Sequence, residues 1–243
     1  MRWRIDLSYK GTNYSGWQKQ SGDKTVQQTI EEAFSTILRE PIEIVGCGRT
    51  DAGVHARKYA AHFDANTISD SAKVLYQVNS ILPDDIAINF LEKVKPEFHA
   101  RYDARERHYL YYIHFNKNPF LIGQSFYFGT QVELDKSAMQ DAAKLLMNYN
   151  DFLPFCKTGS DVKHFKCMIT ESKWDFENEQ AIYSIKANRF LRGMVRLITG
   201  AYLNIGLGKL SIDSLEESLR QQIPLPLQWS VPPEGLFLEE VIY

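Results

Sequence analysis

The stretch RWRIDLSY, Arg2–Tyr9, alternates apolar Trp3, Ile5, Leu7 and Tyr9 with polar Arg4, Asp6 and Ser8. A period of two residues is that of a strand buried on one face. The elements downstream of this strand decide the fold. Thr25-Val26-Gln27-Gln28 reads as a capping box opening a helix, with Val26, Ile30, Ala33 and Ile37 on one helical face. IEIVGC (42–47) and YAAHFDA (59–65) predict strands on either side of a glycine-framed loop. A second helix carries Val74, Leu75, Val78 and Ile81 and is stopped by Pro83; INFLEKV (88–94) then reads as a strand. The order of the first hundred residues is β-α-β-β-α-β.

The remainder repeats that order without repeating its residues. RHYLYYIHF (107–115) puts Arg107, Tyr109, Tyr111, Ile113 and Phe115 on one face of a strand. A helix from about Asp135 buries Met139, Ala142, Ala143 and Leu146, and two strands come next, near 168–176 and 181–188. Helices from about Phe190 and about Ile212 precede a final strand in GLFLEEVIY (235–243). The expected class is α+β: two ferredoxin-like (βαββαβ) halves, residues 1–104 and 105–243, with mostly antiparallel sheets and a central cleft.

Composition excludes several classes. The chain of 243 residues is 44% hydrophobic and 24% charged, ordinary for a globular protein. The opening MRWRIDLSY lacks the apolar core of a signal peptide, and no 18-residue apolar run occurs. No membrane association is expected. Three cysteines, Cys47, Cys156 and Cys167, form no CxxC pair. They read as free thiols of a reducing cytoplasm, with no metal site. Net charge is −2, yet residues 1–20 carry a net +3, 186–196 a net +4 and 211–243 a net −5. Such segregation leaves room for a basic face that binds a polyanion, and a solvated patch with no partner fits it equally.

GCGRTDAGVHA (46–56) sets Arg49 and Asp51 inside the loop between two predicted strands. Asp51 could simply form the turn. It could also be a nucleophile, a general base or an electrostatic stabiliser, each of which needs it ionised beside a cation. Arg49 is one candidate cation. Another lies in NRFLRGMVRLITG (188–200), where a helical projection gathers Arg192 and Arg196 opposite Phe190, Met194, Leu197 and Ala201. A solvated helix face fits that pattern too, but Gly193 within it would cost about 1 kcal/mol relative to alanine. Tyr109 and Tyr111 read either as core or as a platform for a nucleobase, worth about 1–3 kcal/mol per base.

GRTDAGVHA, FHARYDARERHYLYY and ANRFLRGMVR together resemble the tRNA pseudouridine synthase A (TruA) family. YKGTNYSGWQKQ (9–20) and EGLFL (234–238) add two further blocks in the right order. The resemblance implies the pseudouridine synthase fold, no cofactor, a homodimer, and uridines at about positions 38–40 of the tRNA anticodon arm as substrate. It implies Asp51 as the catalytic residue, Arg49 in access of the target base and Tyr109 against the uracil. It also implies Arg196 as the basic residue paired with the aspartate, and Leu236 as an apolar residue of the pocket. Arg192 in the basic segment is expected to touch phosphate. Lys10 departs from the family pattern, which has an acidic residue there. Isomerising uridine breaks the N1–C1′ bond, turns the base and rejoins it through C5, so nothing is consumed and one carboxylate suffices. The target base must first leave its stack, at a cost of about a few kcal/mol. A non-catalytic RNA-binding protein with RRM-like halves shares the element order, but YAAHFDA lacks the RNP1 pattern. A hydrolase would need a second carboxylate, and none lies near Asp51 in sequence.

Overall fold

A computed structural model describes residues 1–66, 68–129, 133–157, 164–177 and 179–243. Secondary structure is mixed α and β with mostly antiparallel strand pairing. The chain divides into two compact units, Met1–Arg105 with Phe237–Tyr243, and Glu106–Leu236.

In the first unit, β1 (Arg2–Tyr9) buries Trp3, Ile5, Leu7 and Tyr9 as its alternation requires. It pairs antiparallel with β3 (His55–Asp64) on one edge and β4 (Ile86–Lys93) on the other. α1 (Val26–Leu38) buries Val26, Ile30, Ala33, Phe34 and Leu38, while Ile37 stays half-exposed. α2 (Ser71–Ile81) buries Val74 and Val78. Thr25 caps α1 by accepting from Gln28 N (3.4 Å), and the Gln28 amide donates onward to Glu32. The sheet runs β4-β1-β3, with the short β2 (Val45–Gly46) antiparallel on β3.

The strand predicted over 42–47 thus shrinks to two residues. The reason is competition from α1: Ile42 N donates to Ser35 Oγ (3.0 Å) and Ile44 N to Glu31 Oε1 (3.0 Å). Side chains of α1 take the backbone donors that a ladder would use. Between Leu7 and Tyr9 the register to β3 slips, from Leu7↔Tyr59 to Tyr9↔Ala56. This bulge adds one residue to β3 and bends the strand end next to the Asp51 loop. Beyond it, His55 and Ala56 pair in parallel with Phe237 and Leu238 of β9 (Leu236–Ile242). A sequence division at 104/105 assigns this last strand to the second half. Its residues from Phe237 onward instead belong to the first unit.

The second unit orders its strands β5-β8-β7, from β5 (Glu106–His114), β7 (Ile169–Phe176) and β8 (Gln180–Ala187), all antiparallel. A short β6 (Phe126–Tyr127) runs parallel to β5. α3 (Lys136–Leu146) starts at Asp135, whose side chain accepts from Ala138 N, and buries the four predicted residues. α4 (Met194–Gly206) is buried along most of its length, and α5 (Ile212–Gln221) is amphipathic. On β7, β8 and α4, Trp174, Tyr183 and Tyr202 form a fully packed aromatic cluster, with Tyr183 and Tyr202 edge to face at 5.2 Å.

Two expectations change here. The helix predicted from Phe190 begins at Met194, and Gly193 is its N-cap with φ 70°. Gly193 is therefore not a weak point inside a helix but the residue that turns the chain into one. Arg192 precedes the helix, so it shares no helical face with Arg196. Nor is the N-terminal segment a bare basic face. Arg2 pairs with Asp64 (2.8 Å), Arg4 with Asp6 (2.9 Å) and Lys19 with Glu31 (3.0 Å).

Candidate active site

The residues grouped by sequence fall in different compact units. Arg49 and Asp51 lie in the first; Tyr109, Arg192, Arg196 and Leu236 lie in the second.

The Asp51 loop is held by residues 9–17 of its own unit. Trp17 N donates to Thr50 O (3.2 Å), and Gly53 N donates to Tyr14 O (3.3 Å), so the backbone is tied on both sides of Asp51. Tyr9 Oη and Thr50 Oγ1 share a buried hydrogen bond of 2.8 Å. Tyr59 Oη donates to Gly48 O, and its ring stacks on Trp17 with centroids 4.0 Å apart. The two segments touch closely enough that a Cβ on Gly16 would lie 2.6 Å from Thr50 O. Gly16 also has φ +92°, so both sterics and backbone require glycine there. Within this frame Asp51 is half-buried, and its carbonyl accepts from Val54 N (3.2 Å) in a tight turn. Arg49 is exposed and donates through Nε to Gln18 Oε1 (3.2 Å). Lys10 is exposed too, and its backbone N–H donates to Asp85 O (2.8 Å).

Tyr109 sits half-buried on β5 opposite Ile185, its ring edge to face with Phe190 at 5.1 Å. Two residues on, Tyr111 is fully buried and donates to Pro232 O (2.8 Å). Burial pushes its hydroxyl far above the usual tyrosine range, with Glu234 adding to the shift and Arg196 opposing it. Tyr111 is thereby a permanent donor. Arg196 donates through Nε to Val231 O (2.7 Å), and Val231 N donates back to Arg196 O (3.3 Å). Residues 231–236 are therefore pinned by Arg196 and Tyr111, and the buried Leu236 ends the segment. Arg192 is exposed, its carbonyl accepting from Lys157 N (3.1 Å).

Sequence reasoning missed the support of the loop. Tyr9, Tyr14 and Trp17 lie 34 to 42 positions before Asp51, and no periodicity links them to it. The available signal was the clustering of glycine and aromatics in YKGTNYSGW.

Residues 7–103 and 142–243 match the family model described as tRNA pseudouridine synthase. A tRNA pseudouridine synthase A of Porphyromonas gingivalis is 44% identical over 246 residues, covering 100% of this chain and 97% of its own. The chain belongs to the tRNA pseudouridine synthase family. Relatives under the same name include one from Bacteroides thetaiotaomicron, 40% identical with 100% and 90% of the two chains covered. Another, from Acetivibrio thermocellus, is 35% identical with 99% and 98% covered. The pseudouridine synthase match includes Arg49, Asp51, Arg192, Arg196 and Leu236, whereas Tyr109 falls between its two matched stretches.

Proposed function

We propose that this chain isomerises uridine to pseudouridine in the anticodon arm of tRNA, at about positions 38–40, with Asp51 as the catalytic carboxylate. Membership of the family makes it an isomerase acting on tRNA. The observation that supports Asp51 is the loop itself, tied to residues 14 and 17 on both sides of a half-buried carboxylate. A turn-forming aspartate needs no such frame; a group that must meet one atom of a substrate does.

In the reaction the N1–C1′ bond breaks, C1′ joins C5, C5 loses its proton and N1 gains one. Asp51 assists the first step, at the sugar, at the base or as a proton acceptor. Arg196 serves as the basic residue of the reaction, its guanidinium held through Nε on Val231 O. Tyr109 offers an aromatic face to the detached uracil, Leu236 an apolar wall, and Arg49 serves entry of the base. Arg192 contributes to phosphate binding. The protein works as a homodimer in the cytoplasm, and no helix among the described residues is long and apolar enough to cross a membrane.

Asp51→Asn tests the assignment. Tritium release from [5-³H]uridine-labelled tRNA should be abolished while tRNA binding and thermal stability persist. Release at the wild-type rate would make Asp51 structural, and free uracil from the wild type would point to hydrolysis. Pseudouridine mapping checks the positions, and sedimentation at twice the chain mass checks the dimer.

A further inference from the structure

Beside the Asp51 loop, within the first unit, lies an open groove of about 480 Å³. Its wall includes Gly46, Gly48 and Arg49 of the loop, and Lys19 and Arg101 from elsewhere in the unit. The volume falls in the range of small-ligand sites, roughly 300–1,000 Å³. Its polar floor is already fixed. Gln18 donates to Gln27 (2.9 Å) while accepting from Arg49, and Gln27 donates to Glu31 (2.9 Å) and to Ile44 O (3.0 Å). Groups held in this way need little ordering when a ligand arrives.

Gly48 is the telling position. Its φ is not positive, and a Cβ built on it would meet no atom within 4 Å. Neither backbone conformation nor packing requires glycine at this position. Gly46, in the same wall, is different, since a Cβ there would collide with Tyr59 and Trp17. The space over Gly48 is thus open, with room for a group from outside the protein. Cations decide what that is. Lys19, Arg49 and Arg101 line the groove against Glu31 and Glu43, and Glu31 is already paired with Lys19 and accepts from Ile44 N. Two arginines on one groove favour an anion whose oxygens accept paired N–H bonds from a planar guanidinium, such as a phosphodiester. The groove shares Gly46, Gly48 and Arg49 with the loop that carries Asp51.

We propose that this groove takes a nucleotide of the tRNA strand flanking the target uridine, its phosphate at Arg49 and Arg101 and its backbone passing over Gly48. The proposal rests on the pseudouridine synthase reading of the chain. Gly48→Ala and Gly48→Val, with Arg101→Ala, test it by equilibrium tRNA binding and thermal unfolding. Gly48→Ala should leave the melting temperature unchanged or raised, because it only restricts the unfolded chain. Gly48→Val should weaken tRNA binding about ten-fold or more, the side chain standing where the strand must pass. Arg101→Ala should weaken binding and lower the slope of log K against log salt by about one. A melting temperature that falls in Gly48→Ala would show a structural glycine and overturn the proposal. So would an unchanged tRNA Kd in either Gly48→Val or Arg101→Ala, the result expected if the groove serves an acidic protein partner. Tritium release by the wild type decides the catalytic reading separately: release with unaltered binding by the variants removes the groove alone.

Discussion

Replacing Gly16 with alanine puts a methyl carbon 2.6 Å from Thr50 O and 3.2 Å from both Asp51 C and Ala52 N. A close C···O contact is about 3.3 Å, so the loop must retreat by about 0.7 Å. The Trp17 N–Thr50 O bond, at 3.2 Å, cannot survive that displacement. Its loss costs about 0.5–1.5 kcal/mol. Holding an alanine at φ +92° costs about 1–3 kcal/mol more. The sum, about 1.5–4.5 kcal/mol, corresponds to a melting temperature lower by about 3–18 °C for a chain of this length. Catalysis should suffer beyond stability, since a shift near 1 Å of a reacting group can cost about a hundred-fold. The expected result is a kcat for tritium release reduced about ten- to a hundred-fold at a temperature where the variant is folded. Gly22→Ala is the control, with φ +85° and no atom within 4 Å of a built Cβ. It carries the backbone strain without the collision, so it should lose stability and keep kcat. A Gly16→Ala enzyme with kcat within about two-fold of wild type would refute the idea that residues 14–17 position Asp51.

Tyr111→Phe removes the donor to Pro232 O and leaves that carbonyl short of a partner, a loss of about 1–3 kcal/mol read from urea midpoints. His62 is pushed down to about 4, chiefly by burial and then by Arg2 and His99, and its Nδ1 accepts from Ala100 N (3.1 Å). The unfolded chain therefore takes up this proton first. The contribution is complete above about pH 6.5, drains away as pH falls toward about 4, and totals about 3 kcal/mol. Urea midpoints across that window should slope for the wild type, and His62→Gln should remove that part of the slope. Arg192→Ala should flatten the salt dependence of tRNA binding by about one unit, and an unaltered slope would take Arg192 off the RNA surface.

Much of the fold was readable because its signals are local. The alternation in Arg2–Tyr9, the Thr25 cap and the Met139/Ala142/Ala143/Leu146 face each depend on neighbours within a turn or a pleat. Failures came where distant groups compete. Residues 42–44 have a strand pattern, but Ser35 and Glu31 of α1 claim the N–H groups of Ile42 and Ile44. The apolar periodicity from Phe190 is helical, yet the chain enters α4 only after Gly193 reverses φ.

The element order, the α+β class and, through GRTDAGVHA and its companion blocks, the family are legible in the residues alone. How Asp51 is held, which unit takes the last strand, and the ion pairing of Arg2, Arg4 and Lys19 emerge only in the folded chain. The physical reason is range. Periodicity and capping act within about four residues of chain. A loop at 50–53 gripped by residues 14 and 17, or a β3 end met by Phe237, depends on contacts that exist only once the chain has folded.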